Sequence, residues 1–343
     1  MSQNPQSEAE REAIYATNQR LAGIFLPLPS RLRDEARARQ SVNGEPPTAL
    51  KFAHYTSAEA AIAILRSREV WMRNTTCMAD YREVMHGFDM LQRFFVEDNV
   101  KSLEAAFNDC HPGAAGRGLE FFNQWWRANL SGQIFVGSIS EHSGNEDLHG
   151  RLSMWRAFGN SPTRVAIVLK VPWKTSATDK LKVMFSPVVY APEAEVFGSL
   201  RQVAENIRRE AEFLKTVSAD QVQLWFFAMI FVYMSCLKHE GFHEEREWRA
   251  IYSPIFQSAL LRRSTEVVNG IPQLVYHLPL DERVDAEVSD LDLVKMLDRI
   301  IIGPTQYPWA VSNSFVETLG EIGVENPIEK VFISHIPIRS YGT

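Results

Sequence analysis

The sequence predicts an α+β fold, on three observations. Short strand-like runs recur at residues 70–72 (VWM), 134–139 (IFVGSI), 164–171 (RVAIVLKV), 248–252 (WRAIY), 274–278 (LVYHL) and 300–302 (III). Long helical patterns separate them, the longest over 193–238. No repeat or low-complexity tract runs through the series, so strands with long helical insertions fit better than a doubly wound parallel sheet.

Taken in order, residues 7–40 read as charged helix with a turn at Pro27 and Pro29. Its arginines alternate with Asp34 and Glu35, which describes a solvated helix face better than a nucleic-acid stripe. Residues 41–47 (SVNGEPP) read as a linker. The chain is organised around residues 51–85. An extended run carries His54 and Tyr55, and Thr56 and Ser57 form a helix N-cap. Glu59 stands three residues after Thr56, as a capping box requires. A strand end beside a helix N-terminus lets polar side chains face a ligand while backbone N–H groups offer an anion site. Helical patterns follow over 84–107 and 117–130, and Phe121, Phe122, Trp125 and Trp126 form a core stripe. The 134–139 strand contains Ser138 and runs into Ser140 and Glu141, and residues 181–190 read as a further strand. The domain plan is a helical segment and linker at 1–47 and a main domain at 48–310 with a helical insertion at 193–238. A C-terminal extension at 311–343 packs on the core.

A chain of 343 residues can bury a large core. Its net charge of −6 argues against non-specific nucleic-acid binding, which needs clustered cations. Three widely spaced cysteines suggest a reducing compartment. The acidic, polar N-terminus does not read as a signal peptide, so a cytoplasmic, bacterial-type protein is expected. The apolar run 224–237 is too short for a bilayer core and reads as a buried helix, and no membrane partner is expected.

Three patterns invite chemistry. His239-Glu240-Gly241-Phe242-His243 matches H-E-x-x-H, which on a helix would place two imidazoles on one face for zinc, with the glutamate as general base. Gly241 is a poor mid-helix residue, and strand-like residues begin five positions after His243, so a helix C-terminus is the better reading and no metal is assigned. In Glu245-Arg246-Glu247-Trp248-Arg249 a strand would put 245, 247 and 249 on one face. The bland reading, favoured for the pattern taken alone, is a solvent-exposed edge laced with ion pairs. The sharp one is a pair of catalytic carboxylates, one stabilising a developing cation and one positioning a hydroxyl. Tyr55, Trp155 and Phe158 are aromatics near polar strand ends that could stack on a planar ring, though each alone is more often core. Ser138 and Ser140 lack a G-x-S-x-G elbow, no Gly-rich phosphate loop exists, and Cys77 carries no nucleophile signature.

Together the pieces resemble the bacterial domain-of-unknown-function family 2971. They are Ala53-His54-Tyr55-Thr56, Met78-x-Asp80-x-x-Glu83, Ser138-x-Ser140-Glu141, Leu152-x-Met154-Trp155-x-x-Phe158-Gly159 and Glu245-x-Glu247-Trp248-Arg249. Their ordered combination carries the likeness, from about residue 50 to about 305. Ala79 and Phe158 depart from the asparagine and tyrosine often found there in the family. A more distant similarity is to the H–Y–E type ADP-ribosyltransferases. It implies a split, mostly antiparallel sheet with inserted helices that grips NAD, as substrate, in a central cleft. It also implies that His54 bonds the adenosine ribose, that the Thr56 backbone helps hold NAD, and that Phe158 or Trp155 stacks on nicotinamide. Glu247 would bond the nicotinamide ribose, Glu245 would orient the acceptor, and Arg249 or Arg73 would pair with the pyrophosphate. Tyr55, Ser138 and Ser140 complete the expected binding set. The implied role is an effector or phage-defence enzyme modifying a macromolecule, protein or nucleic acid, with the oligomeric state left open. The alternatives are a non-catalytic ligand- or partner-binding module of the same fold and a zinc hydrolase using His239 and His243.

Overall fold

The structure, a computed structural model, describes residues 8–77, 81–128, 133–157, 163–268 and 270–336. In chain order the first elements are α1 (Glu8–Phe25), α2 (Pro27–Arg39), β1 (Ala49–Ser57), α3 (Ala58–Ser67), β2 (Glu69–Asn74), α4 (Tyr81–Phe94), α5 (Glu97–Phe107), α6 (Ala114–Ala128) and β3 (Phe135–Glu141). Then come α7 (Leu152–Ala157), β4 (Arg164–Pro172), α8 (Ala177–Leu181), β5 (Met184–Pro187), α9 (Glu193–Arg209), α10 (Ala211–Leu214) and α11 (Ala219–Cys236). The chain closes with β6 (Glu247–Tyr252), β7 (Arg262–Val268), β8 (Ile271–Pro279), α12 (Leu293–Met296), β9 (Leu297–Ile302), α13 (Pro308–Glu321) and β10 (Val331–Ile333). The fold is α+β with a mostly antiparallel sheet.

These elements form two compact units that cut across the linear plan expected from the sequence. One unit comprises 1–35, 74–135 and 186–243, and its described elements are mainly helices. Residues 224–236 lie on α11, whose Phe226, Phe227 and Phe231 are fully buried. Trp125 packs edge-on against Phe227 and Phe231, so the aromatic stripe is core, as its helical spacing implied. Helix α4 meets α11 closely: a Cβ on Gly87 would stand 2.4 Å from the Met234 carbonyl oxygen, a contact only glycine permits.

The second unit comprises 36–73, 136–185 and 244–343 and carries the sheet, in the order β10-β9-β4-β1-β3-β2-β8-β7 with β6 paired to β3 and β5. Strand β1 pairs with β4 over nine residues, from Ala49↔Pro172 to Ser57↔Arg164. Its pairing with β3 covers only Phe52↔Glu141 and Ala53↔Ser140, so the sheet splits beyond Ala53. Strand β10 runs parallel to β9, and it makes part of the expected C-terminal extension a strand of the sheet.

Three local expectations are corrected. Because β1 stays paired through Ser57, the N-cap is Ser57, whose hydroxyl accepts from the Ala60 N–H at 3.2 Å. Thr56 remains strand, and no Thr56–Glu59 box forms. The 181–190 strand shrinks to β5, because α8 ends in a left-handed Lys182 (φ 57°) just before it. Strand β7 (RRSTEVV) lacks an apolar run and was not expected. As an edge strand it needs few apolar residues, since one side of its backbone meets solvent.

Candidate active site at the sheet split

Alternation along β1 places Phe52 and His54 on one face and Ala53 and Tyr55 on the other. The Lys51 carbonyl accepts from His142 on the β3 side, whereas Ala58 N–H and the Thr48 carbonyl bond to residues flanking β4. Odd-numbered backbone groups of β1 therefore face β3, and even-numbered ones face β4. Beyond the last β1–β3 pair, the N–H and C=O of Tyr55 point into the split. Those of Thr56 point to Val165 on β4, which corrects the expectation that the Thr56 backbone faces a ligand.

His54 is half-buried, and its Nδ1 lies 3.0 Å from the Ser138 carbonyl oxygen. A carbonyl only accepts, so Nδ1 carries the proton and Nε2 is left as an acceptor. Burial lowers the His54 pKa against the opposing effect of that hydrogen bond and keeps the ring neutral. Ser138 reaches a second group, donating from its hydroxyl to Glu247 Oε1 at 2.5 Å. Glu247 opens β6, and Arg249 grips it with Nε on Oε1 at 2.8 Å and Nη2 on Oε2 at 3.1 Å. Both residues are buried, at 6% and 1% exposure, so the bland reading of a solvent-exposed edge does not hold. On the other face of β6, Trp248 packs on Phe52 and Phe185 and donates its indole N–H to Glu141.

Glu245 does not share the face of Glu247. It ends a 3-10 turn (Glu240–Glu245), and Arg246 between them is left-handed (φ 44°), which breaks the two-residue alternation. Arg249 is committed to Glu247, which removes it as the pyrophosphate partner. Arg73, half-buried on β2, donates to the Gln273 side chain at 3.1 Å. Ser140 is buried, its hydroxyl 3.9 Å from Met154 Sδ.

The aromatics also separate. Tyr55 packs edge-on against Trp155 (4.9 Å, 76°), and its hydroxyl accepts from the Arg151 N–H at 2.8 Å. Burial is the main cause that pushes its pKa up to about 12. Trp155 is fully buried, donates to the His149 carbonyl at 2.7 Å, and covers Gly303 and Gly150 so closely that no Cβ fits at either. Neither ring offers a face to a ligand, which corrects the stacking role for Trp155 and the binding role for the Tyr55 side chain. Phe158, Met78, Ala79 and Asp80 lie outside the described residues.

His239 and His243 are exposed; His239 precedes the 3-10 turn Glu240–Glu245 after α11 and His243 lies within it, so neither stands on an α-helix. His239 Nδ1 accepts from the Gly241 N–H and His243 Nδ1 lies 3.0 Å from the Glu240 carbonyl, so the helical face needed for zinc does not form. Among the described residues no group of three or more His, Cys, Asp or Glu side chains is arranged to hold a metal. None of the described helices is long and apolar enough to cross a membrane.

Sequence reasoning missed Arg151, which stands next to a motif but belongs to none. Its backbone N–H serves Tyr55. Its guanidinium donates to Glu146, to the Glu141 carbonyl and to the carbonyls of Glu244 and Glu245. No local pattern signals such a hub, since its partners lie up to 96 residues away.

Fold and site thus define an α+β protein in which Ser138 links His54, through its backbone carbonyl, to a buried glutamate–arginine pair, through its hydroxyl. A family model described as "Protein of unknown function (DUF2971)" matches residues 154–250, a span that includes Trp155, Glu247 and Arg249 but not His54 or Ser138. Neither the curated proteins nor the solved structures give a match.

Proposed function

We propose that this chain is an ADP-ribosyltransferase that uses NAD as substrate, with Glu247 as its catalytic carboxylate. The observation that carries the reading is Ser138, whose carbonyl holds His54 and whose hydroxyl holds Glu247 where the sheet splits. In the reaction, the bond between the ribose C1 and the nicotinamide nitrogen breaks, and the bonding pair leaves with nicotinamide. An acceptor nucleophile forms the new bond to C1 and gives up its proton. Positive charge builds on the ribose, and a carboxylate fixed against it is worth most in the transition state. Ser138 and Arg249 hold Glu247 in one rotamer, so little reorganisation is needed when that charge develops.

Two features support NAD as the ligand. The His54 Nε2 acceptor suits a ribose hydroxyl. The Tyr55 N–H and C=O, facing the split, match the donor and acceptor of a carboxamide. With Arg249 and Trp155 committed elsewhere, this reading assigns the pyrophosphate to Arg73, which would have to exchange its bond to Gln273, and stacking to Phe158. Those two commitments also favour a second reading, a non-catalytic module that binds the ligand or a partner without turning NAD over.

The deciding experiment is nicotinamide release from NAD by wild type beside Glu247→Gln. Release by wild type alone supports the enzyme. Release by both removes Glu247 from the chemistry. If neither releases nicotinamide, calorimetry with NAD distinguishes a binding module, which gives heat, from a chain without an NAD site.

A further inference from the structure

We infer that Arg151 is a positioning residue that aims Glu247 by fixing the left-handed turn at Arg246; the inference rests on the catalytic reading of Glu247. Non-glycine residues seldom adopt positive φ, and those that do persist where the surroundings over-determine them. Arg246, at φ 44°, is the residue immediately before Glu247. Three sets of hydrogen bonds hold that turn. Arg151 Nη1 donates to the carbonyls of Glu244 (2.9 Å) and Glu245 (2.8 Å) on its upstream side. The Glu141 N–H donates to the Arg246 carbonyl at 2.9 Å, and the Arg246 guanidinium bonds Ser143 Oγ at 2.9 Å.

Arg151 is itself immobilised. Its Nε meets Glu146 Oε1 at 2.7 Å, its Nη2 meets the Glu141 carbonyl at 2.5 Å, and its side chain is 10% exposed. Glu146 in turn accepts from the Ser143 N–H. The guanidinium therefore ties the end of β3, the loop after it and the approach to β6 into one frame. That frame breaks the strand alternation at 246 and sends the Glu247 side chain to Ser138 and Arg249. A lysine has one ammonium and no planar fork, so it can hold only part of this set.

The test measures kcat and KM for NAD in wild type, Arg151→Lys, Arg151→Ala, Arg246→Gly and the Arg151→Ala/Arg246→Gly double variant. Misplacing a reacting group by about 1 Å costs about 10²-fold. Arg151→Ala should lose about that much in kcat with KM little changed, and Arg151→Lys should lie between it and wild type. Arg246→Gly gives up the bond to Ser143 Oγ, but glycine reaches positive φ without strain, so the substitution should restore part of the kcat lost in Arg151→Ala. A merely stabilising arginine would show no such rescue. Turnover by Arg151→Ala at the wild-type rate overturns the inference and leaves the catalytic reading standing. If Arg151→Ala does not fold, Arg151→Lys with and without Arg246→Gly decides by the same comparison. If wild type itself releases no nicotinamide, the catalytic reading falls first. Hydrogen exchange then decides about the frame: amides 246–249 should exchange faster in Arg151→Lys than in wild type while those of β4 are unchanged, and equal rates overturn it.

Discussion

At Glu247 and Arg249 two opposite charges are almost wholly removed from water, and each depends on the other. Removing one partner strands a buried charge, which typically costs about 3–5 kcal/mol. Arg249→Ala is therefore expected to lower stability by that amount, read from urea unfolding midpoints. Glu247→Gln also strands the Arg249 charge, but it keeps the shape and one carbonyl acceptor, so it should lose less stability than Arg249→Ala and still fold. At Gly303 a methyl would stand 2.9 Å and 3.0 Å from two Trp155 ring carbons and 3.1 Å from the Arg164 carbonyl oxygen. Trp155 is enclosed and cannot step aside, so Gly303→Ala should cost roughly 1–3 kcal/mol by overpacking. Thermal melting of the variant checks it. Asp298 gives a pH signature. Burial would raise its pKa, but hydrogen bonds from Lys170 and Arg299 at 2.8 Å, with Lys51 nearby, hold it well below the usual carboxylate range. A pKa lower in the folded than in the unfolded state favours folding above the unfolded value, about 3.9. That contribution is lost as pH falls further. Wild type should thus exceed Asp298→Asn in stability at pH 7, and the gap should close on acidification from about pH 4 downward. A gap that persisted in acid would contradict the assignment.

Short elements show where local signals suffice. Ser57 caps α3 because its hydroxyl reaches the Ala60 N–H, and Ser57→Ala should cost about 1 kcal/mol, measured by denaturant unfolding. The capping residues were legible at 56–57, but the choice between them depended on how far β1 stays paired with β4, a tertiary fact. Strand β6 makes the same point. Its apolar and aromatic content marked it as strand, and its charged residues were noticed. One left-handed residue at Arg246 then separated Glu245 from the face that Glu247 and Arg249 share. Propensity gives no warning there, because arginine is not a residue that favours positive φ.

Over the whole molecule, each unit is built from three separate stretches of chain, so boundaries drawn along the sequence could not follow them. The α+β character was readable because hydrophobic periodicity is local. Which helices pack together was not readable, because contacts such as Phe25 on Phe107 or Arg20 on Glu210 join distant segments. The helical unit offers its own test at Gly87. The Cβ of Gly87→Ala would meet the Met234 backbone, which must shift, and a loss of roughly 1–3 kcal/mol is expected from chemical denaturation followed by helical circular dichroism.

The sequence by itself determined the fold class, most of the strands, the aromatic core and the residue types of the candidate site, His54, Ser138 and Glu247. All of these are written in local pattern or in ordered short motifs. Tertiary structure alone decided that Glu247 and Arg249 form a buried pair rather than an exposed edge. It also decided that the rings of Tyr55 and Trp155 pack together in the core. Burial and hydrogen-bond partnership depend on what other segments bring alongside, and Arg151, whose four side-chain partners spread over 105 residues of chain, carries no local trace of that role.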